Sequence, residues 1–440
     1  MSERALPGFR DFYPEEFAQR AYIMEKWRDV ARRFAFVEYD GPPLESLGLY
    51  TRKSGDEIVG QLYTFTDKGG REVALRPEMT PTVARMVAAR ANALRKPVRW
   101  FSMPQLFRYE RQQKGRLREH FQLNVDIFGE ADVTADAELA AVAIDVMRAF
   151  GLGPDDVKLR FSDRRLINAL LLAAGVTEAQ LAPAYAAIDK MERISADAFT
   201  EMLANAGITG DAQARVGALV TKSLADLAVE FGTEPTIGPL VATLERYLAH
   251  LAALGVDAFA ELDLRIVRGL AYYTGIVFEL FDAKGEFRAI CGGGRYDTLL
   301  SALGGADLPA LGFGLGDVVL GDLLRARGLM PTTLPGPDFW VIGTDSQDMH
   351  VVMGVARELR EQGFGVEYAL RPQSASKQQK AAHSANARFV VHLDEGFTDN
   401  RAVSVRDLRT PAGKESFAHE GRLSLDRMIE TIATNRDRIF

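Results

Sequence analysis

The sequence is poor in cysteine and has no long apolar run. Among its 440 residues there is one cysteine, Cys291, which excludes an internal disulfide and a zinc cluster built from cysteines. Such a composition fits a reducing compartment. No stretch of about 18 consecutive apolar residues occurs, and the N-terminus carries no apolar segment. We therefore expect a cytoplasmic protein that does not enter a membrane.

An overall basic character is also absent. The formal net charge is −7, so the chain lacks the general positive charge of a protein whose only task is to bind nucleic acid. Any contact with nucleic acid must then come from local groups. The length predicts two or three domains, and a hydrophobic content of 47% with 26% charged residues is typical of a soluble globular enzyme.

The stretch Arg99–Gly129 predicts a β-hairpin with a basic loop. Its second arm, Phe121–Phe128, alternates apolar and polar residues with a period of two. The loop carries five cations, namely Arg108, Arg111, Lys114, Arg116 and Arg118. These charges repel one another unless an anion lies among them, and polyphosphate or a nucleic-acid backbone would supply one. The alternative interpretation is a solvated charged turn.

The pattern FRYER…R…HFQLNVDIFG in this hairpin resembles motif 2 of the class II aminoacyl-tRNA synthetases, most closely that of histidyl-tRNA synthetases. Three further segments resemble the same family: RPEMT at 76–80, RGLAYYTG at 268–275 and GGGRYD at 292–297. The sequence departs from the family at Met79 and Ala271, where glycine and aspartate are usual. Val319 stands where the arginine of motif 3 is expected.

The fold that this resemblance implies is α+β. A class II catalytic domain with an antiparallel sheet is expected over residues 1–330, with a helical insertion at about 165–235. A linker at 331–337 and an anticodon-binding domain at 338–440 would follow. In that last part strand and helix patterns alternate, which indicates an α/β domain with a largely parallel sheet.

Two details of the catalytic domain are predicted from local pattern. Strands are expected at Leu262–Val267 and Tyr272–Phe281, so that Tyr272 and Tyr273 point to opposite faces. The glycines of GGGRYD allow backbone to approach a ligand closely, or else form a tight turn before the next helix. An amphipathic helix from Pro14 to about Ala35 resembles motif 1, which implies a homodimer.

The resemblance implies a ligase that joins histidine to tRNA-His in two steps, with ATP as a substrate and Mg²⁺ on its phosphates. In the first step histidine and ATP form histidyl-adenylate. By analogy, Arg108 and Arg268 are the catalytic residues, with Arg108 on the α-phosphate and Arg268 on the α-phosphate and the histidine carboxylate together. Arg116 would hold the distal phosphates, and Glu110 would lie near the adenine amino group.

Histidine recognition is assigned to six further positions. Glu78 and Thr80 would accept from the ammonium group, although capping of the next helix is an alternative role for them. The remaining candidates are Gln122 near the amino group and Asp126, Tyr272 and Tyr273 around the imidazole. Arg111 and Gln113 resemble the residues that meet the extra 5′ guanosine of tRNA-His. No protein residue is assigned as a metal ligand.

Two other functions remain open from the sequence. The first is a non-catalytic, histidine-binding regulatory paralogue of the synthetase, which Val319 keeps open because an active-site arginine is missing. The second is a class II synthetase for proline, threonine or glycine. The C-terminal domain and the retained Arg268, Tyr272 and Tyr273 argue against the first alternative. The RGLAYYTG and GGGRYD segments argue against the second.

Overall fold

The computed structural model describes residues 4–51, 59–111, 113, 115–267, 272–334, 336–344, 348–409 and 422–434. The chain divides into two compact units. The first comprises Met1–Phe12 with Gln19–Met330, and the second comprises Tyr13–Ala18 with Pro331–Phe440. Three positions singled out from the sequence, Lys114, Arg268 and Ala271, lie outside the described residues.

The first unit is built on a nine-stranded sheet with the strand order β1-β5-β7-β12-β11-β10-β8-β9, in which β6 also pairs with β7. The interior pairs are antiparallel, and the two edge pairs, β1–β5 and β8–β9, are parallel. The strands are β1 (Val37–Glu38), β5 (Val98–Ser102), β6 (Gln105–Phe107), β7 (Glu119–Phe128), β8 (Val157–Asp163), β9 (Ala260–Leu262), β10 (Ile276–Asp282), β11 (Cys291–Arg295) and β12 (Ala310–Gly316). A smaller sheet has the order β2-β4-β3, with β2 (Leu44–Ser46), β3 (Thr64–Thr66) and β4 (Glu72–Leu75). The predicted α+β class is confirmed.

The helices before residue 331 mostly belong to one apolar cluster with strands of the large sheet. They are α1 (Pro14–Arg33), α2 (Leu47–Thr51), α3 (Thr80–Ala88), α4 (Val133–Ala149), α5 (Arg164–Ala173), α6 (Glu178–Lys190), α7 (Ala196–Asn205), α8 (Gly210–Leu219), α9 (Leu224–Phe231), α10 (Gly238–Ala253), α11 (Leu299–Ala302) and α12 (Asp317–Ala326). Helix α4 begins where Asp132 caps the backbone N–H of Thr134. Within the described ranges no single helix has the length and apolar content of a membrane span, and one bent pair, α5 with Glu178–Arg193, meets both criteria jointly.

Strand β7 separates the core from the polar face because its side chains alternate. Leu123, Val125 and Ile127 lie in the same apolar cluster as the buried residues of α4. Gln122 and Asp126 therefore project from the opposite face of the strand. On that side Phe128 packs with residues of α3 and α11, so Asp126 lies beside a second apolar cluster.

The segment around Tyr272 differs from the prediction. Strand β9 ends at Leu262, because the carboxylate of Asp263 accepts the backbone N–H of Arg265 at 3.0 Å and closes a turn. The following strand, β10, begins at Ile276 and not at Tyr272. The rings of Tyr272 and Tyr273 are 5.1 Å apart within one apolar cluster, so the expectation that they lie on opposite faces of a strand is wrong.

The glycines of the GGGRYD segment have a different role from the predicted one. They form strand β11 between β10 and β12, not a turn. A Cβ on Gly293 would lie 2.5 Å from the Cβ of Phe313, and one on Gly294 would lie 2.7 Å from the carbonyl oxygen of Ile276. These two glycines are thus required by the packing of the protein itself.

The second unit contains a five-stranded sheet with the order β14-β13-β15-β16-β17. Its elements are β13 (Phe339–Ile342), α13 (Met349–Glu361), β14 (Val366–Tyr368), α14 (Ala375–Ser384), β15 (Phe389–Leu393), α15 (Phe397–Asn400), β16 (Ala402–Asp407), β17 (Arg422–Ser424) and α16 (Leu425–Thr434). The pairs of β13 with β14 and β15 are parallel, whereas β15–β16 and β16–β17 are antiparallel. The sheet is mixed, not largely parallel, because the connection from β15 to β16 is too short for a crossover.

A buried ion pair ties the middle of the large sheet to α4. The guanidinium of Arg295 contacts the carboxylate of Asp136 at 2.5 Å, and the two side chains are 4% and 5% exposed. Arg295 also donates to the carbonyl oxygen of Glu130 at 2.9 Å and to Asp297 at 3.2 Å. Asp297 in turn accepts the backbone N–H of Ala310 at the start of β12.

Removing one member of this pair should destabilise the fold strongly. We expect Asp136→Ala to lower the free energy of unfolding by about 3–5 kcal/mol, because the buried guanidinium would lose its buried counter-ion and keep only the exposed carboxylate of Asp297. The control is Asp322→Ala, which breaks an exposed pair with Arg325 and should cost about 1 kcal/mol or less. Urea unfolding of both variants measures the difference. Equal effects would contradict a special role for the buried pair.

Candidate active site

The centre of the polar face is a buried carboxyl group with one unsatisfied oxygen. Asp126 is 3% exposed. Its Oδ1 accepts a hydrogen bond from the hydroxyl of Tyr296 at 2.5 Å, whereas its Oδ2 has no partner among the described residues. Burial raises the pKa of Asp126 to about 7, although the bond from Tyr296 opposes this shift. A buried acceptor of this kind calls for a donor from a ligand.

Two tyrosines, Tyr272 and Tyr296, connect Asp126 to a second carboxylate, that of Glu78. The hydroxyl of Tyr272 donates to Glu78 at 3.1 Å, and the ring of Tyr272 lies 5.9 Å from that of Tyr296. Tyr273 lies beside Tyr272 in the same apolar cluster. The predicted residues Glu78, Asp126, Tyr272 and Tyr273 are thus brought together, although they come from three different parts of the chain.

Neither Glu78 nor Thr80 caps helix α3. The N-cap position of this helix is Met79, and no side chain forms a hydrogen bond there. Thr80 is the first helical residue and is half-buried, while Glu78 is buried and bonded to Tyr272. The capping alternative is therefore wrong, and the two polar side chains remain candidates for a ligand.

Two glycines of β12 make room for the site. Gly312 pairs with Asp126 across the strands. A Cβ on Gly312 would collide with the carboxylate of Asp126, and one on Gly314 would lie 2.7 Å from the side chain of Gln122. Since Cβ atoms do not approach other atoms so closely, these positions require glycine as long as Asp126 and Gln122 keep their conformations.

Next to this cluster is an open cavity of about 960 Å³. It is lined by four of the predicted residues, Arg108, Glu110, Arg116 and Gln122. Arg108 connects the two regions, because its Nε donates to the carbonyl oxygen of Pro77, the residue before Glu78, at 2.9 Å. The cavity is large enough for a nucleotide-sized ligand.

The cavity contains an ion pair and a buried histidine whose charges are influenced by their surroundings. Arg116 and Glu110 form an ion pair at 2.8 Å, so each neutralises the other. Burial lowers the pKa of His120 to about 3, and the charges of Arg108 and Arg10 act in the same direction. His120 is therefore a neutral ring at physiological pH, and the cations around it are arginines.

Comparison with known proteins identifies the family. The sequence model of histidyl-tRNA synthetase matches residues 8–317, and that of the anticodon binding domain matches residues 339–435. The chain belongs to the histidyl-tRNA synthetase family. The fold class and the ligase class predicted from the sequence are thereby confirmed.

The relatives and solved structures agree with this family. The chain is 46% identical over 92% of its length to a histidine–tRNA ligase of Opitutus terrae, covering 94% of that protein. It is 42% identical to the ligase of Natronomonas pharaonis, over 92% of this chain and 93% of the relative. A crystal structure of the histidyl-tRNA synthetase from Nostoc superposes with a TM-score of 0.83 at 23% identity, over 99% of this chain and 100% of that one. That structure shares the fold.

The residues expected to meet tRNA in this synthetase family lie at the tip of the β6–β7 loop. Arg111 and Gln113 are both exposed. Gln113 exchanges backbone hydrogen bonds with Arg116, and its side-chain Oε1 accepts from Arg288 at 2.5 Å. The loop tip therefore contacts a residue from the β10–β11 connection, which the sequence analysis did not single out.

The missing arginine of motif 3 leaves an apolar wall in the cavity. Val319 lies in the first turn of α12 and lines the cavity. A Cβ on Gly115 would be 3.3 Å from the side chain of Val319, so the loop that carries Arg116 passes close to this valine. No guanidinium can extend from position 319 toward a bound nucleotide.

Sequence reasoning missed two residues of the site. Tyr296 was noted within GGGRYD, yet its bond to Asp126 was not foreseen, because the two residues are 170 positions apart. Gly312 was likewise missed. A signal was present for Gly312: β7 and β12 both alternate, so polar residues of one strand facing glycines of the other could have been paired.

Adding one methyl group at Gly312 should disable the site. We expect Gly312→Ala to displace Asp126 and to weaken histidine binding by about tenfold or more, because the added Cβ meets a carboxylate held by Tyr296. Gly217→Ala is the control, since a Cβ there meets nothing within 4 Å. Calorimetry measures histidine binding, and melting temperature reports folding. Unchanged affinity in Gly312→Ala would contradict the proposed position of Asp126.

Proposed function

We propose that this chain activates histidine with ATP to form histidyl-adenylate and then transfers the histidyl group to the 3′ end of tRNA-His. The observation that carries the proposal is the buried pair of carboxyl groups, Asp126 and Glu78, linked by tyrosines. Histidine offers two separated groups of donors, an imidazole N–H and an ammonium group. The free Oδ2 of Asp126 suits the first and the carboxylate of Glu78 suits the second.

Specificity for histidine would come from the cost of leaving buried polar groups unpaired. Asp126 Oδ2 accepts one imidazole N–H, and Tyr273 pairs with the other ring nitrogen. An amino acid of similar size without these nitrogens leaves Asp126 unsatisfied in an apolar site, which discriminates more strongly than size does. Thr80 and Gln122 lie at the edges of this region and complete the contacts of the ammonium group.

The cavity would bind ATP through its arginines. Arg108 is fixed by the carbonyl oxygen of Pro77 next to the histidine site and holds the α-phosphate. Arg116 exchanges its bond with Glu110 for bonds with the distal phosphates, which leaves Glu110 to accept from the adenine amino group. Arg268, which lies outside the described residues, is assigned by resemblance to the carboxylate of histidine and the α-phosphate.

The residues present are compatible with Mg²⁺ bound chiefly through ATP. Among the described residues there is no group of three or more side chains that could hold a metal ion by themselves. Mg²⁺ typically takes most of its ligands from phosphates and water and only one or two from carboxylates. Glu279 lines the cavity and would be such a carboxylate. When bound, the ion would neutralise part of the charge on the phosphates.

The two steps need positioning and charge neutralisation more than proton transfer. In the first, an oxygen of the histidine carboxylate forms a bond to the α-phosphorus of ATP, and pyrophosphate leaves. In the second, a 3′-terminal hydroxyl of tRNA forms a bond to the histidyl carbonyl carbon, and AMP leaves with the bonding electrons. Arg108 stabilises the negative charge on the α-phosphate in both steps.

The regulatory alternative has less support than the ligase. Three curated relatives, each 40–46% identical to the chain and matching 91–92% of it, are named as histidine–tRNA ligases. One structural neighbour, from Bacillus halodurans, carries both names, regulatory subunit of ATP phosphoribosyltransferase and histidyl-tRNA synthetase, but at 23% identity it speaks for the fold alone. Within the described site, the valine at position 319 is the feature that would fit the regulatory function, because it replaces an arginine.

The tRNA contacts are assigned to two regions. Arg111 and Gln113 would meet the 5′ end of tRNA-His near the active site. Residues 338–440, which largely coincide with the matched anticodon binding domain, would bind the anticodon. The boundaries of the catalytic domain, its insertion and the linker stay predictions, as does a location in the cytoplasm.

The proposed function predicts histidine-dependent exchange of pyrophosphate into ATP. Among twenty amino acids, histidine alone should support the exchange. Asp126→Asn should weaken histidine binding by about 1.5–3 kcal/mol, the range for a lost charge-assisted hydrogen bond. Asp145→Asn, at a surface ion pair with Arg148, is the control. Exchange with an amino acid other than histidine, or unchanged affinity in Asp126→Asn, would contradict the assignment.

The resemblance of α1 to motif 1 also predicts a homodimer. Light scattering at micromolar concentration should give about twice the chain mass of 48.4 kDa. The edge strand β1 carries Val37, which is 62% exposed, and such an apolar edge residue is suited to an interface with a second copy. A monomeric mass over the whole concentration range would exclude the dimer.

A further inference from the structure

The connection between β10 and β11 places an arginine at the cavity wall that Val319 leaves apolar. The backbone N–H of Gly316 donates to the carbonyl oxygen of Ile290 at 3.4 Å, which joins this connection to the start of α12. Arg288 is two residues before Ile290, and Val319 is three residues after Gly316. Both side chains line the same cavity. The positive charge that α12 lacks at position 319 is thus available from Arg288 of the neighbouring β10–β11 connection.

The connection is held in place by ion pairs at its base. Arg327, which follows α12, contacts Asp282 at 2.7 Å and Glu286 at 3.1 Å. The backbone N–H of Glu286 also donates to Asp282 at 2.8 Å. Arg288 therefore projects from a turn that is fixed to the same helix that carries Val319.

The charge of Arg288 is not neutralised by the protein. Among the described residues its contact is with the neutral side-chain oxygen of Gln113, and no carboxylate lies within ion-pair distance. Arg160, another arginine of the same cavity, pairs with both Glu192 and Asp263. A guanidinium that faces a cavity without a counter-ion favours an anionic ligand there.

We propose that Arg288 supplies the guanidinium that position 319 lacks and binds the distal phosphates of ATP together with Arg116. This inference rests on the proposed function, which places ATP in the cavity. Gln113 bonds with Arg288 through its side chain and with Arg116 through its backbone, so the two arginines lie on either side of one residue. Two guanidinium groups can then share the β- and γ-phosphates by bidentate bonds.

The test compares nucleotides that differ in the distal phosphates. Arg288→Ala should weaken ATP binding by about ten- to a hundredfold, as expected for a lost charge-assisted contact. Its affinity for AMP and for histidine should be unchanged, because neither carries a distal phosphate. Arg193→Ala removes another exposed arginine of the same cavity and should leave ATP binding unchanged. The double variant Arg288→Ala with Val319→Arg should regain part of the ATP affinity.

Several outcomes would overturn the inference. One is equal loss of ATP and AMP affinity in Arg288→Ala, which would indicate a damaged cavity. Another is normal ATP binding with reduced charging of tRNA, which would mean that Arg288 only positions Gln113. Gln113→Ala separates these roles, since it should retain ATP affinity if Arg288 contacts phosphate directly.

Binding and exchange together distinguish this inference from the proposed function. If the unaltered chain binds ATP but shows no histidine-dependent exchange, the proposed function fails, while the comparison of ATP with AMP still decides the role of Arg288. If the unaltered chain does not bind ATP, both are wrong. Melting temperatures of all variants establish that a loss of binding is not a loss of folding.

Discussion

The buried contact between Arg295 and Asp136 is the constraint on which the site depends. It joins strand β11 to helix α4, while Asp297, two residues further on, fixes the start of β12. Tyr296 lies between these two anchored residues, and its hydroxyl holds one oxygen of Asp126. The position of the recognition carboxyl is thus set by an ion pair that touches no ligand. If the Arg295–Asp136 pair held Tyr296 less firmly, Asp126 could move and bond both of its oxygens to other groups of the protein.

The apolar surroundings that raise the pKa of Asp126 to about 7 would also make the site selective for a ligand that carries a hydrogen-bond donor. A carboxyl group in this setting would gain much from a ligand donor, since no described residue bonds to its second oxygen. Gly312 is part of this design because any side chain there would occupy the space of the carboxylate. The proposed recognition of a small polar ligand by Asp126 therefore also depends on the apolar residues around it and on Gly312, which has no side chain.

The cavity proposed for ATP differs from the buried site around Asp126, because it is open and its groups are charged. Arg116 and Glu110 neutralise each other until a ligand separates them. Among the described residues Arg288 has no carboxylate partner, and the backbone of the β6–β7 loop joins its contact Gln113 to Arg116. The proposed phosphate binding would use arginines from different elements, so that the loss of one at position 319 would be offset by another.

The sequence by itself determined the class of fold and the two-part organisation, and it supplied the residues proposed for histidine recognition, because all of these follow from periodicity and from local motifs. It also determined that position 319 carries no cation. Only the tertiary structure decided that β9 ends at Leu262 and that β10 begins at Ile276, since Asp263 closes a turn that the apolar pattern does not reveal. It alone paired Tyr296 with Asp126, Gly312 with the same carboxyl, and Arg288 with Gln113. The physical reason is that these contacts join residues far apart in the chain, and strand register and packing, not local pattern, bring them within bonding distance.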